Sequence, residues 1–146
     1  MRLISRSPEE TEDIGFRLGK ILKAGDVVGL YGELGTGKTT MAKGIAGAFG
    51  IAKRDITSAS FTIIAEYESD PTFYHIDLYR IGEGDDLDAT GVWECMGSDS
   101  VSVIEWAEIA EDGFPEHAIK MKMKAKGDDL REITIEGINE EDWNNL

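Results

Sequence analysis

Residues 29–47 read GLYGELGTGKTTMAKGIAG, and the spacing of glycine, lysine and threonine inside them governs how the rest of the chain is read. Gly32-Glu33-Leu34-Gly35-Thr36-Gly37-Lys38-Thr39, followed by Thr40, fits the phosphate-binding pattern G-x-x-x-x-G-K-[ST]. Each residue type has a physical reason. Glycines let the backbone curl so that successive N–H groups converge on one anion, and they leave no side chain in its way. A helix starting near Lys38 aims its positive end at the same anion. Lys38 brings a mobile ammonium to the β and γ phosphates of a nucleotide, and the Thr39 hydroxyl is a ligand for Mg²⁺.

The flanks agree with that reading. Asp26 to Tyr31, DVVGLY, is a short apolar run of the kind that forms a buried parallel strand. Met41, Ile45, Ala48 and Phe49 recur on one helical face, with Gly50 as a stop. Upstream, Ser7-Pro8-Glu9-Glu10 reads as a capped helix start, and Ile14, Leu18, Ile21 and Leu22 supply its buried stripe. Downstream, Phe61–Tyr67 and Thr72–Tyr79 read as a hairpin around Ser69-Asp70-Pro71, and VSVIEW, 101–106, as a second buried strand. Residues 82–100 are acidic and rich in turn formers, with room for a short helix or two. Ala118 to Glu136 reads as a last hairpin, turning at Gly127-Asp128-Asp129. The expected architecture is α/β: one domain over residues 1–146, a P-loop NTPase-like three-layer fold with a central mixed β-sheet.

Composition narrows the function. The 146 residues carry a formal net charge of −14, and tight nucleic-acid binders owe much of their affinity to basic patches, so direct, tight binding of RNA or DNA is disfavoured. No apolar run approaches the roughly 18 residues of a membrane span, and the N-terminal stretch lacks a signal-peptide core, so the expected location is cytoplasmic. The lone Cys95 excludes an internal disulfide, and two histidines, His75 and His117, do not make a zinc cluster.

A nucleotide hydrolase of this kind also needs a carboxylate at the end of a neighbouring strand, to hold Mg²⁺ or orient water. Two acids are candidates. Glu105 ends the apolar run VSVIE, where the bland alternative is a solvated strand end. Asp77 sits within FYHIDLYR, where pairing with Arg80 is the structural alternative. His75 lies two residues before Asp77 on the same strand face and could reach the site, although a lone strand histidine is more often structural.

GELGTGKTT, SASFT, HIDLYR and IEW, in that order, resemble the TsaE (YjeE) family, the P-loop ATPase of bacterial tRNA threonylcarbamoyladenosine biosynthesis. The resemblance covers roughly residues 7–110. It implies that Lys38 and Thr39 bind the phosphates and Mg²⁺ of ATP, that Asp77 and Glu105 are the catalytic acids and metal ligands, and that Trp106 lies beside the nucleotide. The family usually has Ser-Pro-Thr-Phe where this chain has Ser58-Ala59-Ser60-Phe61; Ser60 keeps the hydroxyl, and Ala59 loses the proline's stiffness. The partners implied are the TsaD and TsaB proteins, whose complex ATP hydrolysis resets, with tRNA engaged only through that complex and no membrane.

Two other classes compete. A small-molecule P-loop kinase would need a lid whose arginines screen the transferred phosphoryl group, and after Lys38 only Arg54, Arg80 and Arg131 occur, in no cluster. A nucleotide-gated binding module without turnover is opposed by Glu105 at its strand end. The alternating KMKMKAK, 120–126, offers a lysine stripe that could meet a partner. Pairing with Glu132 and Glu136 of the returning strand, or protection of a sheet edge, is the better-supplied explanation.

Overall fold

Seven strands form one mixed sheet, in the order β1-β7-β6-β2-β5-β4-β3, in a computed structural model that describes residues 1–56, 63–82, 85–97 and 99–146. The strands are β1 (Arg2–Ser5), β2 (Val27–Tyr31), β3 (Ile64–Tyr67), β4 (Thr72–Asp77), β5 (Ser100–Glu105), β6 (Ile119–Ala125) and β7 (Arg131–Glu136). The central four, β6-β2-β5-β4, run parallel; β3, β7 and β1 add antiparallel margins. The apolar run at residues 27–31 becomes β2, buried along its whole length at the middle of the sheet. The reading of Ser58 to Thr62, Ser60 and Ala59 included, lies outside the described residues.

Helices α1 (Pro8–Ile21) and α2 (Lys38–Gly47) cover one face of the sheet. At the start of α1 the Glu10 amide donates to the Ser7 hydroxyl at 3.0 Å, and the Arg6 amide donates to the Glu10 carboxylate at 2.6 Å. This is the reciprocal cap that the sequence predicts, shifted by one residue on its return arm. Leu18, Met41, Ala42 and Ile45 pack onto Val28, Leu30, Phe73, Val101 and Val103, which is the main core. The two helices cross backbone to backbone: a Cβ on Gly15 would lie 2.5 Å from the Met41 carbonyl oxygen. Any larger residue there would push α2, and the loop that leads into it, away from the sheet.

The opposite face is covered differently. Val27, Ile76, Ile104 and Ala118 meet Val92, Cys95 and Ala110, carried by loops and short 3₁₀ segments at Leu87–Thr90, Trp93–Cys95 and Ala107–Ile109. The third layer therefore exists without an α-helix among the described residues. The acidic, glycine-rich composition of 82–100 accounts for its short segments.

Three features differ from the sequence reading. β1 was not expected; it is a four-residue strand paired with β7. A short helix α3 (Glu140–Asn144) closes the chain and buries Trp143, over which Arg17 stacks at 4.3 Å. β6 is not a sheet edge, because β2 pairs with it on one side and β7 on the other. Its lysines therefore do not protect an edge. Two of them are held by acids instead: Lys122 meets Glu136 at 3.0 Å and Lys120 meets Glu111 at 2.7 Å, while Glu132 lies 3.9 Å from Arg2.

Candidate active site

The parallel strands β2, β4 and β5 end together, and open α/β sheets bind ligands in the crevice beyond such ends. From β2 the chain enters the glycine loop and then α2. Gly37 caps α2 in the left-handed region, φ 97°, and contributes no side-chain hydrogen bond, so no capping side chain screens the helix N-terminus. Gly32 is required by close approach: a Cβ there would lie 2.6 Å from the Met123 carbonyl oxygen and 2.7 Å from Thr36 Oγ1. Thr36 is buried and donates to the Glu33 carbonyl at 2.9 Å, which ties the base of the loop to itself.

Lys38 is only 6% exposed, an unusual place for a lysine. Its ammonium donates to the carbonyls of Gly32 at 2.6 Å and Glu33 at 2.8 Å and lies 3.9 Å from the centroid of the Trp106 ring. Burial lowers its pKa below the ordinary lysine value, against the opposing attraction of Glu105, Glu108 and Asp77. The site thus holds a desolvated cation whose hydrogen-bond acceptors are uncharged, a state that an incoming polyanion would relieve.

Opposite the lysine stand the two acids. Asp77 and Glu105 are register partners on adjacent parallel strands, 4% and 2% exposed. Glu105 Oε1 accepts from the Thr39 hydroxyl at 2.8 Å, and its Oε2 accepts from His75 Nε2 at 2.6 Å. Asp77 Oδ1 accepts from the Tyr79 amide at 3.0 Å. Immediately after Glu105 the chain turns through Trp106, which has φ 59°, the left-handed region that costs a bulky residue of the order of 1–3 kcal/mol. That turn places the indole against Lys38 and 5.2 Å from the Tyr79 ring.

Leu34, Gly35, Gly37, Lys38, Thr39, Thr40, Asp77, Glu105 and Trp106 line one pocket of about 430 Å³. Gly32, Glu33 and Thr36 belong to the same loop but do not line the pocket. Sequence reasoning missed other walls. Pro8 and Thr11 come from α1, Tyr79 follows β4, Asp129 reaches in from the β6–β7 turn and Arg131 from the start of β7. Arg131 donates to the Gly35 carbonyl at 3.0 Å, pinning the glycine loop from a residue 96 positions away. No local pattern announces such a contact. His75 did carry a signal, its place two residues before Asp77 on one strand face.

The arrangement is suited to an anion bound to a hard cation. The loop and helix N-terminus present backbone donors, Lys38 presents charge, and Thr39, Asp77 and Glu105 offer only oxygen ligands, the type Mg²⁺ takes. Among the described residues no group of three or more histidine, cysteine or acidic side chains forms a self-contained metal cage. Mg²⁺ beside a nucleotide does not need one, since phosphates and water complete its shell.

A family model described as "Threonylcarbamoyl adenosine biosynthesis protein TsaE" matches residues 5–133. The chain belongs to the TsaE family. A relative from Treponema pallidum, named tRNA threonylcarbamoyladenosine biosynthesis protein TsaE, is 39% identical over 135 residues, spanning 92% of this chain and 99% of its own. A Bacillus subtilis protein of the same name is 40% identical over 134 residues, spanning 90% and 82%. The crystal structure of Bacillus subtilis YdiB superposes with a TM-score of 0.72 at 36% identity, over 97% of this chain and 87% of that one. The α/β, P-loop NTPase-like fold is therefore shared by sequence and by structure. Among the described residues, no helix is long and apolar enough to cross a membrane.

Proposed function

We propose that this chain binds Mg-ATP in the pocket at the ends of β2, β4 and β5 and hydrolyses it. The output is to reset a complex of TsaD and TsaB between rounds of tRNA threonylcarbamoyladenosine formation. One observation carries the nucleotide reading: Lys38, buried at the start of α2, faces Thr39, Asp77 and Glu105 across a single pocket. The relatives' printed names supply the pathway.

In this reading the glycine loop and the α2 N-terminus hold the phosphates by backbone N–H groups. Lys38 leaves the Gly32 and Glu33 carbonyls for the β and γ phosphates, a contact between opposite charges that replaces two bonds to uncharged acceptors. Thr39, Asp77 and Glu105 would hold Mg²⁺, which supplies neutralisation of phosphate charge. Asp77 and Glu105 orient water toward the terminal phosphorus, where a new O–P bond forms as the bond to ADP breaks. The net charge of −14 fits a protein that meets tRNA only through protein partners.

The test is phosphate release from ATP by the protein alone, then with TsaD and TsaB added, then with small hydroxyl compounds. Slow release that rises severalfold with the two proteins is expected. ATP consumption that ignores both proteins and rises in step with a phosphorylated small molecule would replace this reading with the kinase.

A further inference from the structure

His75 is 4% exposed, yet nothing in the proposed chemistry requires a histidine. A polar ring in that position is costly unless it is hydrogen-bonded, and its partner is specific. Its Nε2–H donates to Glu105 Oε2 at 2.6 Å, the short range of a charge-assisted bond. Both members of the pair are almost fully buried.

The strand register explains what that bond opposes. Glu105 lies directly beside Asp77, while His75 lies beside Val103, one same-face step back along the two strands. Asp77 beside Glu105 is a second acid, and two carboxylates in that register repel each other. The histidine draws Oε2 back along the strand. The other oxygen, Oε1, then points at α2 and accepts the Thr39 hydroxyl at 2.8 Å. Because Thr39 donates its only proton to Glu105, the lone pairs of that hydroxyl are left facing the pocket, the orientation a metal-binding threonine needs.

We propose that His75 is a positioning residue. It holds Glu105 so that Glu105 in turn holds Thr39, and it governs turnover more strongly than nucleotide affinity. The proposal rests on the Mg-ATP reading for its kinetic half only; its geometric half concerns the chain's own side chains.

Two substitutions separate this role from simple packing. The amide nitrogen of glutamine falls where Nε2 of histidine lies, whereas that of asparagine falls nearer Nδ1 and cannot reach Glu105. His75→Gln and His75→Asn are both polar and neutral and differ by one methylene, so a packing role alone would show as a difference in stability and leave the Glu105–Thr39 contact in place in both. Crystal structures of the nucleotide-free variants should keep the Glu105–Thr39 hydrogen bond in His75→Gln and lose it in His75→Asn. With ATP, His75→Asn should lower kcat on the order of ten- to a hundredfold, the scale of a misplaced catalytic group, with a smaller change in KM. His75→Gln should restore most of the rate. Equal kcat in the two variants, or an intact Glu105–Thr39 contact in His75→Asn, overturns the proposal. If the wild type shows no response to ATP, the Mg-ATP reading falls, and the two nucleotide-free structures still decide the positioning claim. Should His75→Asn fail to fold, His75→Phe, which keeps the ring and removes the donor, takes its place under the same criteria.

Discussion

Two lysine sites in this molecule are built on opposite principles. Lys38 is buried at the start of α2, bonded to two carbonyls and covered by the Trp106 ring, and burial lowers its pKa. Lys120, on β6, stays about one-third exposed and donates to Glu111, which raises its pKa; Lys122, two residues on, lies 3.0 Å from Glu136. The protein has 29 acidic side chains and could have provided Lys38 with a close carboxylate, as it does for Lys120 and Lys122. Instead Lys38 is kept in a site that disfavours its charge. A lysine paired with the protein's own acids has its charge satisfied without a ligand; one held at a cost is the pattern that the proposed nucleotide reading uses.

The largest effect that could break this comparison is at Lys38. ATP at about 100 times its dissociation constant should stabilise the wild type by roughly 2.7 kcal/mol, and Lys38→Ala should lose that stabilisation while keeping its fold. An equal ATP-induced thermal shift in the variant would mean that Lys38 is no more functional than Lys120. Next comes Glu105, whose removal acts on the transition state. Glu105→Ala should retain the ATP-induced shift and release phosphate on the order of 10²–10³ times more slowly, the range for a lost stabilising group. Unchanged release, assayed with the partner proteins present, would transfer the catalytic role to Asp77.

Lys38 was legible in sequence because its loop is a local device, and local spacing encodes it. β2, the glycine loop and α2 follow one another within 21 residues, so periodicity and glycine placement suffice. The hairpin β3–β4 was legible through its turn residues. What was not legible is non-local. Arg131 reaches Gly35 across 96 positions, and the bond from His75 to Glu105 spans 30, both decided by strand order. β1 is too short for alternation to mark it and forms because β7 presents an open edge. The interior place of β6 depends on its parallel pairing with β2, which no hairpin pattern predicts.

A pH series sharpens the contrast further. Burial sets the folded pKa of Lys38 below the usual 10.5. In the window between that lowered value and 10.5, the unfolded chain binds a proton that the folded chain lacks. This group's contribution to stability therefore rises with pH across the window. ATP binding runs the other way, since the ammonium is the form that meets phosphate. The ATP-induced thermal shift should shrink across the same window, and a wild-type shift independent of pH up to 10.5 would contradict the burial of the charge.

The smallest effect belongs to the β6 lysines. Glu111 is held below the ordinary carboxylate value by hydrogen bonds from Lys120 and Tyr31, and Glu136 by Lys122. Depressed carboxyl groups contribute stability above their unfolded pKa, near 4.5, and lose it as pH falls through the lower folded value. These pairs are open to solvent, so salt screens them and long side chains offset part of the gain in lost entropy. Lys122→Ala should therefore lower the melting temperature slightly at pH 7, less so in high salt, and should converge with the wild type at acid pH. ATP binding and phosphate release should be unchanged. A Lys122→Ala variant that folds normally but loses stimulation by TsaD and TsaB would show that the stripe also meets a partner. The division between structural and functional lysines would then hold for the nucleotide site and fail for the surface.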